Sequence, residues 1–112
     1  MMEIVDRKGN LNIFHPDDVV KVFKEKSSCV KICLIGKVFV RTEEDYPISS
    51  ILEELNLKPI KNGDRVIEYV NGKTITLINA VEKGTRVNYI DGQYTFTFEN
   101  IESMRDRFDE DN

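Results

Sequence analysis

VKICLIGKVFVRTEEDYPISSILEELNLKPIKNGDRVIEYVNGKTITLINAVEKGTRVNYI, from Val30 to Ile90, is the stretch of sequence that decides the fold. It begins with two strand-like runs that meet at Gly36, continues with a short amphipathic helix, and ends in further strands. Two strands, a helix and strands that return to the same sheet are the order expected when a helix lies across a mixed sheet. We therefore predict an α+β fold of the ββα(ββα)ββ type, a mixed sheet with packed helices.

The hairpin that opens this stretch is apolar on both faces. A period of two predicts one face with Ile32, Leu34 and Phe39, and an opposite face with Cys33, Ile35, Val38 and Val40. Such a hairpin needs cover on both sides. One cover is the helix PISSILEELNL, residues 47–57, on which Leu52 and Leu55 are expected to face the core. The other is either an N-terminal helix or a partner protein.

Upstream of Val30 the sequence predicts another hairpin and another helix. The hairpin runs from Glu3 to Phe14 around the turn residues RKGN. HPDDVVKVFKEKS, residues 15–27, is typical of a helix, because Pro16 suits a first helical turn and the two aspartates favour its positive end. A hairpin followed by a helix thus occurs twice, which indicates either a duplication of ββα units or the recurrence of a common motif.

Downstream of the central helix the sequence predicts two hairpins and a short helix. The first has its turn at Asn71-Gly72, between RVIEYV and KTITLI. In the second, a two-residue turn at Asp91-Gly92 joins TRVNYI to QYTFTF and sets Tyr89 against Tyr94. A narrow helical stripe then predicts a docked C-terminal helix, with Ile101, Met104 and Phe108 on its apolar side.

Composition and length bound the domain organisation and the partners. The 112 residues are 40% apolar and 32% charged, with a net charge of -4. They predict an appendage of hairpin plus helix over residues 1–28, a domain over 29–108 with an extra C-terminal strand and short helix, and an acidic tail over 109–112. Basic and acidic residues are interleaved, which argues against a nucleic-acid partner. No apolar run is long enough for a membrane span or a signal peptide, which predicts a cytoplasmic protein without a membrane partner.

Three segments, ISSILEELNL, YVNGKTITL and AVEKGTRVNYI, together resemble the ubiquitin-like β-grasp fold, and in particular its bacterial sulfur-carrier branch. The resemblance covers residues 30–90. It includes a Val-Asn-Gly strand end and the sequence from Glu82 to Val87, which stands where that family has its -x-x-G-D-x-V- entry into the last strand. Sulfur carriers end in Gly-Gly, whereas here Ile90 continues into another strand and the sequence ends Asp-Glu-Asp-Asn. The resemblance therefore implies a β-grasp-like module used as a scaffold for protein contacts rather than as a sulfur carrier.

Residues for catalysis or for binding a metal or cofactor do not form a recognisable set. Two positions in one strand separated like Cys29 and Cys33 lie about 13 Å apart, whereas a disulfide tolerates roughly 7 Å between Cα atoms. A zinc site needs four ligands, and His15 is the only histidine. We expect no enzymatic activity, no catalytic residue, no metal and no cofactor.

Two functions remain. The first is a non-catalytic protein–protein interaction module; the second is a small acidic regulator or inhibitor of a nucleic-acid enzyme, of the kind that phages and mobile elements encode. The uncharged strand QYTFTF needs a neighbour, either an internal strand or a strand of another chain, in a homodimer or in a complex with another protein. The candidate protein-binding residues are Tyr89, Tyr94, Thr95, Phe96, Thr97, Phe98, Val38 and Val40.

Overall fold

The computed structural model describes residues 1–109, and within them the chain forms ten β-strands and two α-helices. Two short 3-10 turns, Pro16–Asp18 and Gly72–Thr74, each lead directly into a strand. The strands are β1 (Met2–Val5), β2 (Leu11–Phe14), β3 (Val19–Lys24), β4 (Val30–Leu34), β5 (Val38–Arg41), β6 (Lys58–Lys61), β7 (Ile67–Val70), β8 (Ile75–Val81), β9 (Gly84–Tyr89) and β10 (Tyr94–Thr97). The helices are α1 (Ile48–Leu52) and α2 (Ile101–Phe108).

The strands form three sheets. β1 and β2 form a hairpin of their own, β8, β9 and β10 form a three-stranded sheet, and the largest sheet has the order β5-β4-β3-β7-β6. Every strand pair within residues 1–109 is antiparallel, whereas the sequence predicted a mixed sheet. The α+β class is confirmed.

The order of elements is the same in the two halves of the chain. A hairpin, a 3-10 turn, a three-stranded meander and a helix follow one another in residues 2–52, and again in residues 58–108. We call these segments repeat 1 and repeat 2. The predicted hairpin-plus-helix units have different boundaries, because β3, β4 and β5 all belong to the meander of repeat 1.

Backbone details show that the hairpins and meanders of the two repeats are equivalent residue by residue. The Asp6 carboxylate accepts hydrogen bonds from the second and fourth following amides, and Asn62, 56 positions later, does the same with its side-chain oxygen. His15 and Asn71, again 56 positions apart, each cap a 3-10 turn by accepting from the amide two residues on. The register shift, or bulge, of β3 between Val19 and Lys21 recurs in β8 between Ile75 and Leu77. The β3–β4 turn is one residue longer than the β8–β9 turn, so the spacing falls to 55 beyond it.

Each repeat encloses its own hydrophobic core. The core of repeat 1 contains Met2, Ile4, Phe14, Val19, Val22, Val30, Ile32, Val40 and Ile51. The core of repeat 2 contains Val20, Ile60, Val70, Val87, Tyr89, Met104 and Phe108. Val20 belongs to repeat 1 by sequence but packs in the core of repeat 2, because successive residues of a strand face opposite sides and β3 has one core on each side.

The helix predicted for residues 15–27 is wrong. Pro16 and the aspartates start a single 3-10 turn, and Val19 to Lys24 continue as β3. The error has two causes. β3 lies between the two cores, so the successive valines Val19 and Val20 are both buried. The bulge breaks the alternation of the strand, so Val19 and Val22, three positions apart, pack in the same core. The predicted boundary at residue 28 falls in the turn between β3 and β4, two strands that pair with each other.

Two turns have a geometry that differs from the one predicted from the sequence. Asn71-Gly72 begins the second 3-10 turn instead of closing a hairpin, and β7 pairs with β3 and not with β8. The turn after β9 has three residues, 90–92, because the Tyr89 amide donates to the Gln93 carbonyl. Tyr94 therefore lies opposite Asn88 instead of Tyr89. This one-residue shift exchanges the faces of every side chain in β10.

The first two hairpins and the C-terminal helix are confirmed, with two corrections in the central part. The turn between β4 and β5 has three residues, so Phe39 lies opposite Cys33 and on its face. Helix α1 ends at Leu52 and buries Ile51 fully, whereas Leu52 and Leu55 are only partly buried. A β-grasp arrangement of residues 30–90 is not confirmed, because these residues are divided between the two repeats.

Candidate functional site

The two repeats are joined by the addition of a strand of one to the edge of the other. β7 pairs with β3 so that Lys21 lies opposite Val70 and Phe23 lies opposite Glu68. Beyond the ladder, Asn71 donates its amide to Val20 O and its side-chain Nδ2 to Val19 O, both at 2.9 Å. We call residues 19–23 and 68–71 the inter-repeat junction. It shows that an edge of this fold accepts a strand from a neighbouring copy of the same unit.

An ion pair lies at the centre of the junction. The Lys21 ammonium is 3.0 Å from Glu68 Oε1, and the two side chains are 11% and 8% exposed. Lys21 also donates to the Tyr94 carbonyl and to the Thr95 hydroxyl of repeat 2. The second Glu68 oxygen accepts from Asn62 Nδ2 at 2.8 Å. Both charges therefore have hydrogen-bond partners, which is what a buried ion pair requires.

Two ionisable groups near this ion pair are held in their neutral forms. Burial raises the pKa of the Tyr89 phenol, against the effect of its hydrogen bond with Thr95. Burial also raises the pKa of the Cys33 thiol, although the Lys21 and Lys31 charges act to lower it. A protonated phenol and a protonated thiol below the surface are poor nucleophiles and poor bases.

Asp91 forms a second contact between the repeats. Its carboxylate accepts from the amides of Gly36 and Lys37 in the β4–β5 turn, at 2.9 and 3.1 Å. Burial alone would raise the pKa of Asp91, but hydrogen bonds from Gln93, Lys37 and Gly36 together hold it below its usual value. The Gln93 side chain donates to Leu34 O at 3.1 Å. The turns of the two meanders are thereby fixed to each other.

The strands equivalent to β3 and β7 are β8 and β2, and each has a free edge. Among the described strands, β8 pairs with β9 alone and β2 pairs with β1 alone. Large apolar side chains are exposed on both: Leu77 on β8 is 56% exposed, and Leu11 and Ile13 on β2 are each 58% exposed. Natural proteins usually protect such edges with charge, proline or cover. β8 and β2 are therefore the candidate functional site.

The outer edges of β6, β5 and β10 are protected. β6 has the sequence KPIK, with two lysines and a proline that has no amide donor. At β5, Arg41 O accepts from the Arg7 amide in the β1–β2 turn. At β10, Phe96 O accepts from the Gly63 amide of the β6–β7 turn, and Thr97 donates to Lys61 O. The neighbour that QYTFTF requires is therefore internal, although it is the turn of a hairpin instead of a strand.

An apolar cleft lies beside the free edge of β8. It has a volume of about 350 Å³ and opens between β8 and α2. Its lining residues are Gly72, Ile75, Ile78, Ile101, Glu102, Arg105, Phe108 and Asp109. An apolar side chain brought to the edge of β8 would find an apolar surface there.

The residues that the sequence predicted for protein binding divide by burial into two groups. Val40, Tyr89, Thr95 and Thr97 are buried, Phe96 is partly buried, and Val38, Tyr94 and Phe98 are exposed. The exposed members lie on β5 and around β10, away from the free edges of β2 and β8. Protein binding through them stays a prediction. Sequence reasoning missed the two free edges, although the matching turn residues Asp6 and Asn62 carry a signal of the repeat.

Cysteine and histidine residues occupy structural positions. Cys29 and Cys33 are both buried and unpaired, and His15 caps the first 3-10 turn through Nδ1. No group of three or more His, Cys, Asp and Glu side chains within residues 1–109 is arranged to hold a metal ion. In the same residues, neither helix has the length and apolar character needed to cross a bilayer.

No protein-family model, no curated protein and no solved structure matches this chain.

Proposed function

We propose that the chain is a non-catalytic protein-binding module that engages its partner by strand addition at the free edges of β2 and β8. The observation that carries the proposal is the inter-repeat junction. There, β3 accepts β7, while the equivalent strands β8 and β2 have no such neighbour in the described chain. Because β8 and β2 are equivalent to the paired strands β3 and β7, their free edges have the same capacity to pair with another strand.

The chemistry of the edges supports this mode of binding. An edge strand presents alternating amide donors and carbonyl acceptors that pair with any extended chain, and side chains on alternate positions supply specificity. Leu77 on β8 and Ile13 on β2 add apolar surface that is lost from water when a partner binds. The β-grasp resemblance of residues 30–90 contributes only the general use of a sheet as a scaffold for protein contacts.

The test compares matched surface variants in an extract of the organism that encodes the chain. Leu77→Lys and Ile13→Lys each place a charge on one free edge, and Phe98→Lys places the same charge on a side chain that is 64% exposed and lies outside both edges. Immobilised parent protein and the Phe98→Lys control are expected to retain the same proteins, other copies of the chain included. At least one edge variant is expected to lose them.

Other outcomes contradict the proposal in distinguishable ways. Equal retention by all four proteins would show that the free edges are not the contact surface. Loss confined to Phe98→Lys would favour the residues around β10. Binding by all variants that disappears at moderate salt would favour the acidic regulator, because salt screens contacts between exposed charges.

A further inference from the structure

The equivalence of the repeats indicates what binds at the free edges. β3 of repeat 1 is joined to β7 of repeat 2, whereas β8 of repeat 2 and β2 of repeat 1 are left open. We propose that a second copy of this chain adds its β2 strand to β8 of the first, so that the contact between copies reproduces the inter-repeat junction. This inference rests on the proposed function, because it requires the free edges to bind protein, and it names the partner.

The repeat spacing specifies the register of the contact. In the inter-repeat junction, Lys21 lies opposite Val70. The equivalent of Lys21 in repeat 2 is Leu77, since 21 + 56 = 77, and the equivalent of Val70 in repeat 1 is Phe14, since 70 - 56 = 14. The same arithmetic on the remaining pairs of β3 and β7 gives the full ladder between copies: Leu77 opposite Phe14, Ile78 opposite Ile13, and Asn79 opposite Asn12 of the second copy.

The apolar cleft beside β8 is suited to this ladder. Directly opposite residues of paired strands share a face, so Ile13 of the second copy would lie beside Ile78. Ile78 lines the cleft between β8 and α2. Tyr69, the equivalent of Ile13, is partly buried in the inter-repeat junction, whereas Ile13 is 58% exposed. The second copy thus supplies the apolar side chain that the cleft lacks.

Charge distinguishes the contact between copies from the junction within a chain. Leu77 stands at the position of Lys21, and Asn12 stands at the position of Glu68. Asn12 Nδ2 donates to the Asp6 carboxylate at 3.0 Å, so neither of these two positions adds a charge to the contact between β8 and β2.

Two other pairings, β8 with β7 and β3 with β2, would join one strand of the inter-repeat junction to one free edge, and both are disfavoured. β8 on β7 would leave Glu68 buried without an ammonium partner, and β3 on β2 would do the same to Lys21. A buried charge that has lost its partner acts against the wrong pairing. The internal junction therefore selects β3 with β7, and leaves β8 for β2 of another copy.

The contact is head-to-tail. β2 and β8 are different surfaces, so each copy offers one of each, and association either closes into a ring or continues as a filament. A pair of variants tests this directly. Leu77→Lys inactivates the β8 edge and keeps the β2 edge, while Ile13→Lys inactivates the β2 edge and keeps the β8 edge.

Sedimentation velocity over a range of protein concentrations provides the measurement. The parent protein and the Phe98→Lys control are expected to associate with rising concentration. Each edge variant alone is expected to lose affinity for itself by about tenfold or more. An equimolar mixture of the two edge variants is expected to form a 1:1 dimer and nothing larger, because one intact β8 edge then meets one intact β2 edge.

Three results would overturn the inference. These are a parent protein that stays monomeric at every concentration, edge variants that associate like the parent, and a mixture that forms no heterodimer. Circular dichroism and thermal melts of each variant exclude unfolding as the cause of a loss. A monomeric parent that still retains another protein through β2 or β8 would reject the second copy as partner and leave the proposed function standing. A monomeric parent without edge-dependent binding would reject both.

Discussion

The ammonium of Lys21 and the carboxylate of Glu68 form an ion pair across the boundary between two equivalent halves of the chain, and both side chains are almost completely buried. The equivalent positions, Leu77 and Asn12, hold no charge. The inter-repeat junction thus contains an ion pair, whereas the equivalent positions at the free edges of β8 and β2 hold an uncharged pair of residues.

This ion pair predicts that substitutions at Lys21 and Glu68 have non-additive effects on the free energy of unfolding. Lys21→Leu alone leaves Glu68 buried without its cation and is expected to cost about 3–5 kcal/mol of unfolding free energy. Adding Glu68→Asn, which copies the uncharged pair, is expected to recover most of that loss. Denaturant unfolding of the parent, both single variants and the double variant gives the coupling energy. Additive losses would mean that the two side chains contribute independently.

The Asp91 contact predicts a loss of stability in acid. Its pKa is lower in the folded protein than the usual value of about 3.9 for Asp. The contribution of Asp91 is therefore complete above that value and is lost as the pH falls through the folded pKa. Asp91→Asn is expected to be less stable than the parent at neutral pH, with a difference that shrinks in acid. Thermal melts as a function of pH measure this, and a constant difference would contradict it.

Packing in the core of repeat 1 predicts that truncating two neighbouring residues of α1 has different effects on stability. Ile51 is 1% exposed and packs among the valines of the sheet, whereas Leu52 is only partly buried. Ile51→Ala is expected to cost about 2–5 kcal/mol. Leu52→Ala is expected to cost clearly less. Equal losses in chemical denaturation would place the core face of α1 elsewhere.

The buried thiols predict slow alkylation. Cys29 and Cys33 are enclosed in the core, and burial raises the pKa of Cys33, so little reactive thiolate reaches solvent. Labelling with iodoacetamide is expected to be slow in buffer and fast in denaturant. Replacing both residues with Ala tests for a functional role, since binding by the double variant is expected to equal that of the parent. Fast labelling of the folded protein would contradict the observed burial.

Local pattern and turn chemistry predicted several elements, and the failures have identifiable causes. The hairpins around Gly9 and Gly36 and the stripe of Met104 and Phe108 were recognisable because each depends on neighbours in sequence. β3 was mistaken for a helix because it is buried on both sides and its bulge places Val19 and Val22, three positions apart, in the same core, which imitates a helical pattern.

The candidate site itself could not be read from the sequence. A free edge is defined by which strands fail to pair, and β7 pairs with β3 across more than 40 residues of intervening chain. The repeat was also hidden, since equivalent positions often differ in residue type: Gly9 and Arg65 both adopt positive φ, at 84° and 67°. The equivalence of Gly9 and Arg65 is therefore visible only in their backbone conformation.

The position of β3 between the two cores also has a consequence for how the chain folds. Val19 and Val20 are adjacent, both are fully buried, and each belongs to a different core. Neither core can be opened without exposing part of the strand that completes the other. Local unfolding of one half therefore removes support from its neighbour, and the chain is expected to melt in a single cooperative transition despite having two hydrophobic centres.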